Sequence, residues 1–184
     1  MTDHLISLDH FLRAWVVTHR VHALDGVMWT LSAVGRGGLV WLLIGAGLAV
    51  WGRLRWRDFA RLVLAVLMAA LVANQILKPA IQRERPFVGR PEVPVIGGLP
   101  SDESFPSGHA ANAFASAFVL ARMLPGGCVF WWLLAFATAY SRVYLGVHYP
   151  SDVIGGGLVG VACAALALRV TRQDAADARV RPPG

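Results

Sequence analysis

The sequence predicts an all-α, polytopic membrane protein: about five spanning helices in a bundle, preceded by an amphipathic helix at the interface. Three observations carry that prediction. Of 184 residues, 56% are hydrophobic and only 15% charged, against about 25% charged in an ordinary soluble domain. Mean hydropathy is +0.54. The apolar residues also fall in separate runs divided by Arg-rich, Gly-rich and Pro-rich breaks. Such a chain is too apolar for disorder and has too few charges to cover a water-soluble globule. Its length suits one domain.

Residues 1–26 form the amphipathic segment. Leu5, Leu8, Leu12, Trp15 and Val16 recur at helical spacing with charges between them. Asp3, Asp9, Arg13, Arg20 and Asp25 interrupt any early apolar core, so the segment does not read as a cleavable signal peptide. The spanning domain is expected over residues 27–169. A short helix to about Val34 breaks at Gly35-Arg36-Gly37-Gly38, and a first span follows near Leu39–Trp51. Arg53, Arg55, Arg57 and Arg61, with Trp51 and Trp56, make a basic interfacial turn. The second span is expected over Phe59–Leu77.

A polar, Pro-rich connection then runs from Lys78 to Phe105. Connections of that length are usually functional or disordered. The third span is Gly108–Leu124, Pro125-Gly126-Gly127 is a turn, and the fourth span is Cys128–Tyr144. The fifth span, Asp152–Leu168, contains Gly156-x3-Gly160, a spacing that either allows close helix contact or is background glycine in an apolar helix. Residues 170–184 read as a charged tail. Cys128 and Cys163 each lie in an apolar run with no metal-ligand partner, as small buried hydrophobes do.

Three polar clusters fall at helix ends on one face of this arrangement. They are Lys78 to Pro86, Pro106-Ser107-Gly108-His109, and Ser141 to Asp152. Together they gather Lys78, Arg85, Arg142, His109, His148 and Asp152. Three fixed cations suit a tetrahedral anion, with Arg binding phosphate oxygens in a fork and Lys adding a point charge. Ser107 is placed to cap the third span, with Gly108 behind it, so that free N–H groups face the anion. His148 and Asp152 are four residues apart. A carboxylate on one imidazole nitrogen fixes the tautomer and leaves the other nitrogen free to attack phosphorus. His109, on the opposite wall, is placed to protonate the leaving oxygen and later to activate water. Cationic side chains supply the charge, so neither a metal nor a cofactor is expected.

Each residue alone has an ordinary reading, as a membrane-flanking charge, a helix cap or a structural pair. Arg142 is harder to set aside, because an ionisable group at the end of an apolar span is costly. The joint occurrence carries the argument. His4, His10, His19 and His22 match no cluster and read as interfacial polar residues.

Lys-x6-Arg-Pro, Pro-Ser-Gly-His and Ser-Arg-x5-His-x3-Asp, in that order, resemble the signature of the type 2 phosphatidic acid phosphatase (PAP2) superfamily. Here they read Lys78…Arg85-Pro86, Pro106–His109 and Ser141-Arg142…His148…Asp152. The resemblance implies a PAP2/haloperoxidase-like helical core and a metal-independent phosphatase. It makes the residue matching His148 the nucleophile, Asp152 its orienter and His109 the general acid and base. Lys78, Arg85, Ser107, Gly108 and Arg142 then bind the phosphate. The short apolar chain looks like the small bacterial lipid phosphatases, although it lacks the additional early span of many six-span relatives. The implied substrate is a phosphorylated membrane lipid, foremost undecaprenyl diphosphate, with phosphatidylglycerophosphate or phosphatidic acid as the alternative.

Charge bears on orientation. With about five spans, one side carries Arg53, Arg55, Arg57, Arg61, Arg122, Arg169, Arg172, Arg179 and Arg181. The other carries Arg13, Arg20, Arg36, Lys78, Arg83, Arg85, Arg90 and Arg142. Nine against eight decides nothing. Bacterial relatives of this kind work at the outer face of the inner membrane. Setting Lys78, Arg85 and Arg142 aside for catalysis leaves nine against five, which places the tail in the cytoplasm and the site toward the periplasm.

The net charge of +6 also admits a nucleic-acid partner, but no soluble basic face or binding motif supports one. The apolar composition argues against a haloperoxidase, since those relatives are soluble. A non-catalytic phosphate- or lipid-binding protein predicts loss of the nucleophile or its orienter, and both His148 and Asp152 are present.

Overall fold

The computed structural model describes residues 2–89 and 94–180. Arg90, Glu92, residues 181–184 and the side chains of Arg172 and Arg179 lie outside the described residues. All regular structure among the described residues is helical. The helices are α1 (Thr2–Thr18), α2 (Asp25–Val34), α3 (Leu39–Val50), α4 (Trp56–Leu71), α5 (Lys78–Ile81), α6 (Pro86–Gly89), α7 (Gly108–Met123), α8 (Cys128–Tyr144) and α9 (Pro150–Val180).

The breaks fall where the residues demand them. Between α2 and α3 the backbone takes positive φ at Gly37 (63°) and Gly38 (77°), which glycine adopts at little cost. The two helices bend there by 54°. From α4 the chain continues through a π-helical stretch, Val72–Leu77, into α5. Such wide turns are common at functional sites, and this one presents Asn74 and Lys78 to the same cavity. Pro150 opens α9, where its missing N–H costs nothing. The helix thus starts two residues before the expected span and continues through the segment expected as tail to Val180.

By length and composition, two helices can cross a membrane alone, Trp56–Val88 and Pro150–Thr171, and the bent pair α2–α3 makes a third if it is one span. α7 and α8, at 16 and 17 residues, are shorter than the roughly 20 residues of a full crossing. The outward faces are apolar. On α8, Val129, Phe130, Leu133, Phe136 and Tyr140 form one exposed stripe, and Ile154, Leu158 and Leu166 do the same on α9.

α7 is the centre of the bundle, with α4, α8 and α9 packed around it. Its buried face is built from small residues, Ala110, Ala111, Ala113, Ala115, Ser116 and Ala117. A β-carbon added at Gly156 would stand 2.3 Å from the Ser107 carbonyl oxygen, and one at Gly160 would stand 2.2 Å from that of Ala111. The Gly156-x3-Gly160 spacing therefore serves close backbone contact, as small residues do between membrane helices.

The amphipathic helix α1 forms, with its apolar side outward. Leu8, Phe11, Leu12 and Trp15 are exposed, while Asp9, Arg13 and Val17 are buried. Its polar face packs on α8 and α9 rather than facing water.

Candidate functional site

A cavity of about 460 Å³ opens where the ends of α2, α5, α7 and α8 converge with the 96–102 segment. It is lined by Lys78, Arg85, Gly108, His109, Arg142 and His148, six of the eight residues singled out from the sequence. The other two lie immediately behind. Asp152 is fully buried under His148, and Ser107 is fully buried beneath the first turn of α7.

Local helix chemistry explains the His-x3-Asp spacing. Asp152 sits in the first turn of α9 and its Oδ2 accepts the Tyr149 N–H at 2.8 Å. This is how a third-position carboxylate closes a helix N-terminus. The same oxygen lies 3.4 Å from His148 Nδ1 and accepts the Ser104 hydroxyl at 2.5 Å. With Nδ1–H directed at Asp152, the lone pair of His148 is on Nε2, where Arg85 Nη1 donates at 3.3 Å. Arg85 also donates to the Val147 carbonyl at 2.8 Å, fixing the loop that carries the imidazole. Burial, with help from the charges of Arg85 and Arg142 and against the pull of Asp152, pushes the His148 pKa down to about 4. The ring is therefore neutral, as an attacking group must be.

The cations are held by other residues of the cavity wall. Arg142 donates to the Ser32 hydroxyl of α2. Lys78 and Arg85 share the Asp102 carboxylate: Lys78 Nζ pairs with Oδ2, and Arg85 Nη2 pairs with Oδ1 at 2.8 Å. Burial alone would raise the Asp102 pKa, but the hydrogen bond from Lys78 and the Arg85 charge hold it at about 2. A carboxylate thus occupies two of the three cations expected to bind phosphate.

Ser107 precedes α7 with extended backbone (φ −70°, ψ 112°) and makes no side-chain cap. This corrects the expectation that its hydroxyl caps the helix. Its Oγ is buried without a hydrogen-bond partner, and so is Nε2 of His109. Buried polar atoms are nearly always paired. Two orphans at one helix N-terminus, beside free N–H groups, are the arrangement that an anionic ligand completes.

A family model described as the PAP2 superfamily matches residues 59–175. The chain belongs to the PAP2 superfamily. It is 34% identical over 146 residues to an undecaprenyl-diphosphatase of Sulfolobus acidocaldarius, an overlap of 77% of this chain and 68% of that one. Among solved structures it resembles LpxE of Aquifex aeolicus, with a TM-score of 0.74 and 28% identity over 86% of this chain and 93% of that one. It resembles equally a transmembrane PAP2-type phosphatidylglycerolphosphate phosphatase of Bacillus subtilis, with a TM-score of 0.74 and 28% identity over 92% of this chain and 87% of that one. The protein is thus a PAP2-type membrane lipid phosphatase.

Four residues around the PAP2 site have no place in the motif reading. Arg83 Nη1 donates to Asp152 Oδ1 at 2.6 Å, while its Nη2 donates to Asp9 Oδ2 at 2.6 Å. Asp9 in turn accepts the Ser151 N–H at 2.9 Å. Ser104 holds the other oxygen of Asp152, and Asp102 holds Lys78 and Arg85. From the N-terminal segment, Arg13 also donates to the Gly146 carbonyl at 3.2 Å and Arg20 to that of Tyr144 at 2.6 Å. They fill acceptors that the end of α8 leaves open. The available signals were slight: Asp9 and Arg13 interrupt an apolar helix, and Arg83 lies inside the first motif.

Proposed function

We propose that the protein removes the terminal phosphate of undecaprenyl diphosphate through a phosphohistidine, releasing undecaprenyl phosphate. The observation that carries this reading is the Nε2 lone pair of His148, held by Asp152 behind it and turned into a cavity lined by Lys78, Arg85 and Arg142. Nε2 attacks the terminal phosphorus, and the bond to the bridging oxygen breaks. The electron pair leaves with the lipid phosphate, and His109 supplies a proton to the leaving oxygen. Water, deprotonated by His109, then attacks phosphorus and returns His148 to its free form. Lys78, Arg85, Arg142, the Ser107 hydroxyl and the N–H of Gly108 hold the non-bridging oxygens as charge develops.

The substrate choice is supported by the undecaprenyl-diphosphatase relative. A second reading, hydrolysis of phosphatidylglycerophosphate or phosphatidic acid, is favoured by the likeness to the Bacillus subtilis phosphatase over 92% of the chain. Residues 27–169 form the catalytic unit, set in a bacterial inner membrane with the cavity toward the periplasm and residues 170–184 in the cytoplasm.

The test is phosphate release by detergent-purified protein in EDTA, with polyprenyl diphosphate and diacyl phosphates in competition. Substrate radiolabelled in its terminal phosphate and quenched in alkaline detergent, where a P–N bond survives, is expected to leave label on wild-type protein and none on His148→Ala. Full activity in that variant, or an absolute magnesium requirement, overturns the mechanism. Preference for diacyl lipids replaces the first substrate by the second.

A further inference from the structure

Besides Lys78, Arg85 and Arg142, one more basic side chain lines the cavity, and the catalytic roles leave it unused. Arg36 lies in the turn between α2 and α3. Lys78 and Arg85 are paired with Asp102, and Arg142 is tied to Ser32. Arg36 has no hydrogen-bond or ion-pair partner among the described residues. The turn that carries it is clamped. A β-carbon at Gly35 would lie 3.1 Å from Thr138 Cγ2 and 3.6 Å from the His109 ring. One at Gly38 would lie 2.8 Å from Val66 and 3.3 Å from Asn112. The turn is thus seated against the first turn of α7, and Arg36, an exposed residue, lines the cavity on the side of His109.

That position matters because of which side it is on. His148 attacks from one wall, so the group that departs lies toward His109. When a phosphate monoester is cleaved, the departing group is an alcohol, which needs only a proton. When a diphosphate is cleaved, the departing group is itself a phosphate and carries negative charge on its other oxygens even after the leaving oxygen is protonated. A guanidinium stabilises that charge, and its planar fork matches phosphate oxygens. The cavity, at about 460 Å³, falls in the range of roughly 300–1,000 Å³ typical of whole small-molecule sites, so a second phosphate has room.

We propose that Arg36 and its glycine turn form a second phosphate subsite, holding the phosphate that stays with the lipid, so that this site selects lipid diphosphates over lipid monophosphates. The inference rests on the phosphatase reading above and names the feature that sets its substrate class. In the step itself His148 Nε2 bonds to the terminal phosphorus and the bridging P–O bond breaks. Its electrons go to the departing phosphate, whose former bridging oxygen takes the proton from His109 while Arg36 holds the charge on its other oxygens.

The experiment compares full-length wild type, Arg36→Ala and Arg36→Lys in detergent. It uses two pairs of substrates that differ only in phosphate number: a polyprenyl diphosphate with its monophosphate, and a diacylglycerol diphosphate with its monophosphate. Arg36→Ala is expected to lower kcat/KM tenfold or more on both diphosphates and less than twofold on both monophosphates, with Arg36→Lys between. Inhibition by inorganic pyrophosphate should weaken in Arg36→Ala while inhibition by orthophosphate stays. Monophosphate hydrolysis in the same preparation serves as the folding control. An equal loss on all four substrates, the pattern of a lipid-headgroup or structural arginine, overturns the subsite and leaves the phosphatase reading standing. A wild type that cleaves monophosphates but no diphosphate overturns both the subsite and the undecaprenyl diphosphate assignment.

Discussion

Along its middle, α7 meets α9 through groups that carry no charge. Ala111 and Ala115 lie against Gly160, close enough that a single added β-carbon would strike backbone. At its N-terminal end the same helix faces four buried ionisable side chains, Lys78, Arg85, Arg142 and His148. Each is restrained by partners drawn from distant parts of the chain. The first region is held by fit and tolerates no volume. The second is held by ion pairs and hydrogen bonds and leaves buried polar atoms such as Ser107 Oγ and His109 Nε2 without a partner. A protein in lipid gains little from burying apolar side chains against one another, so close backbone contact must carry the bundle. The charged end can then be shaped by chemistry.

The largest effect that would sharpen this contrast is on turnover. His148→Ala is expected to cut phosphate release by about 10⁴-fold or more, while the protein still melts cooperatively in detergent. Substantial residual turnover would break the assignment of the charged end. Next comes the packed region. Gly160→Ala puts a β-carbon 2.2 Å from the Ala111 carbonyl oxygen, and overpacking of this kind costs about 1–3 kcal/mol or more. Gly157→Ala, whose β-carbon would meet Phe114 at 3.4 Å, is the matched control. A melting temperature lowered only by the first variant supports the fit argument, and equal melting temperatures would undo it.

A smaller effect is expected behind the site. Arg83→Ala and Asp9→Ala should each lower kcat by about tenfold, or about 1.4 kcal/mol, at unchanged KM. The double variant should lose less than the product, as residues in one network do. Arg83→Lys should recover part of the rate. A changed KM at constant kcat would mean that these residues touch substrate binding rather than Asp152.

The mildest test is pH. His148 titrates near 4 in the fold and near 6.5 unfolded, so the unfolded chain binds the extra proton first. Its contribution to stability is whole above about pH 6.5 and is lost between there and about pH 4, by at most ~1.4 kcal/mol per pH unit. Melting curves over that window should slope less in His148→Ala than in wild type. Imidazole nitrogen shifts in wild type should show His148 neutral at pH 5.5, and a protonated ring there would refute the depressed value.

Much of this was legible in the sequence because it is local. Apolar runs bounded by Gly and Pro gave α8 at Cys128–Tyr144 and the break at Gly35–Gly38. Three short motifs gave the residues that converge on one cavity. The long-range contacts were not legible. Asp9 reaches Ser151 across 142 residues, and Arg83 reaches Asp152 across 69. No periodicity or spacing encodes such a pairing. Nor did hydropathy reveal which side of α1 faces the protein. In water the apolar side would be the buried one, yet here Asp9 and Arg13 are inside. The glycine pair on α9 was ambiguous until α7 was seen to lie against it.

Asp102 has a consequence for how this site meets its ligand. With one half-exposed carboxylate seated on Lys78 and Arg85, the resting enzyme is not a bare positive hole in an oily slab. If Lys78 and Arg85 bind the substrate phosphate as proposed, an incoming phosphate must trade places with an anion already there, and binding is an ion exchange. Acid above about pH 3 does not loosen the resident, because its pKa is about 2. On that mechanism the tethered carboxylate can return when inorganic phosphate leaves, and the protein restores its own electrical balance without recruiting a counterion from solution.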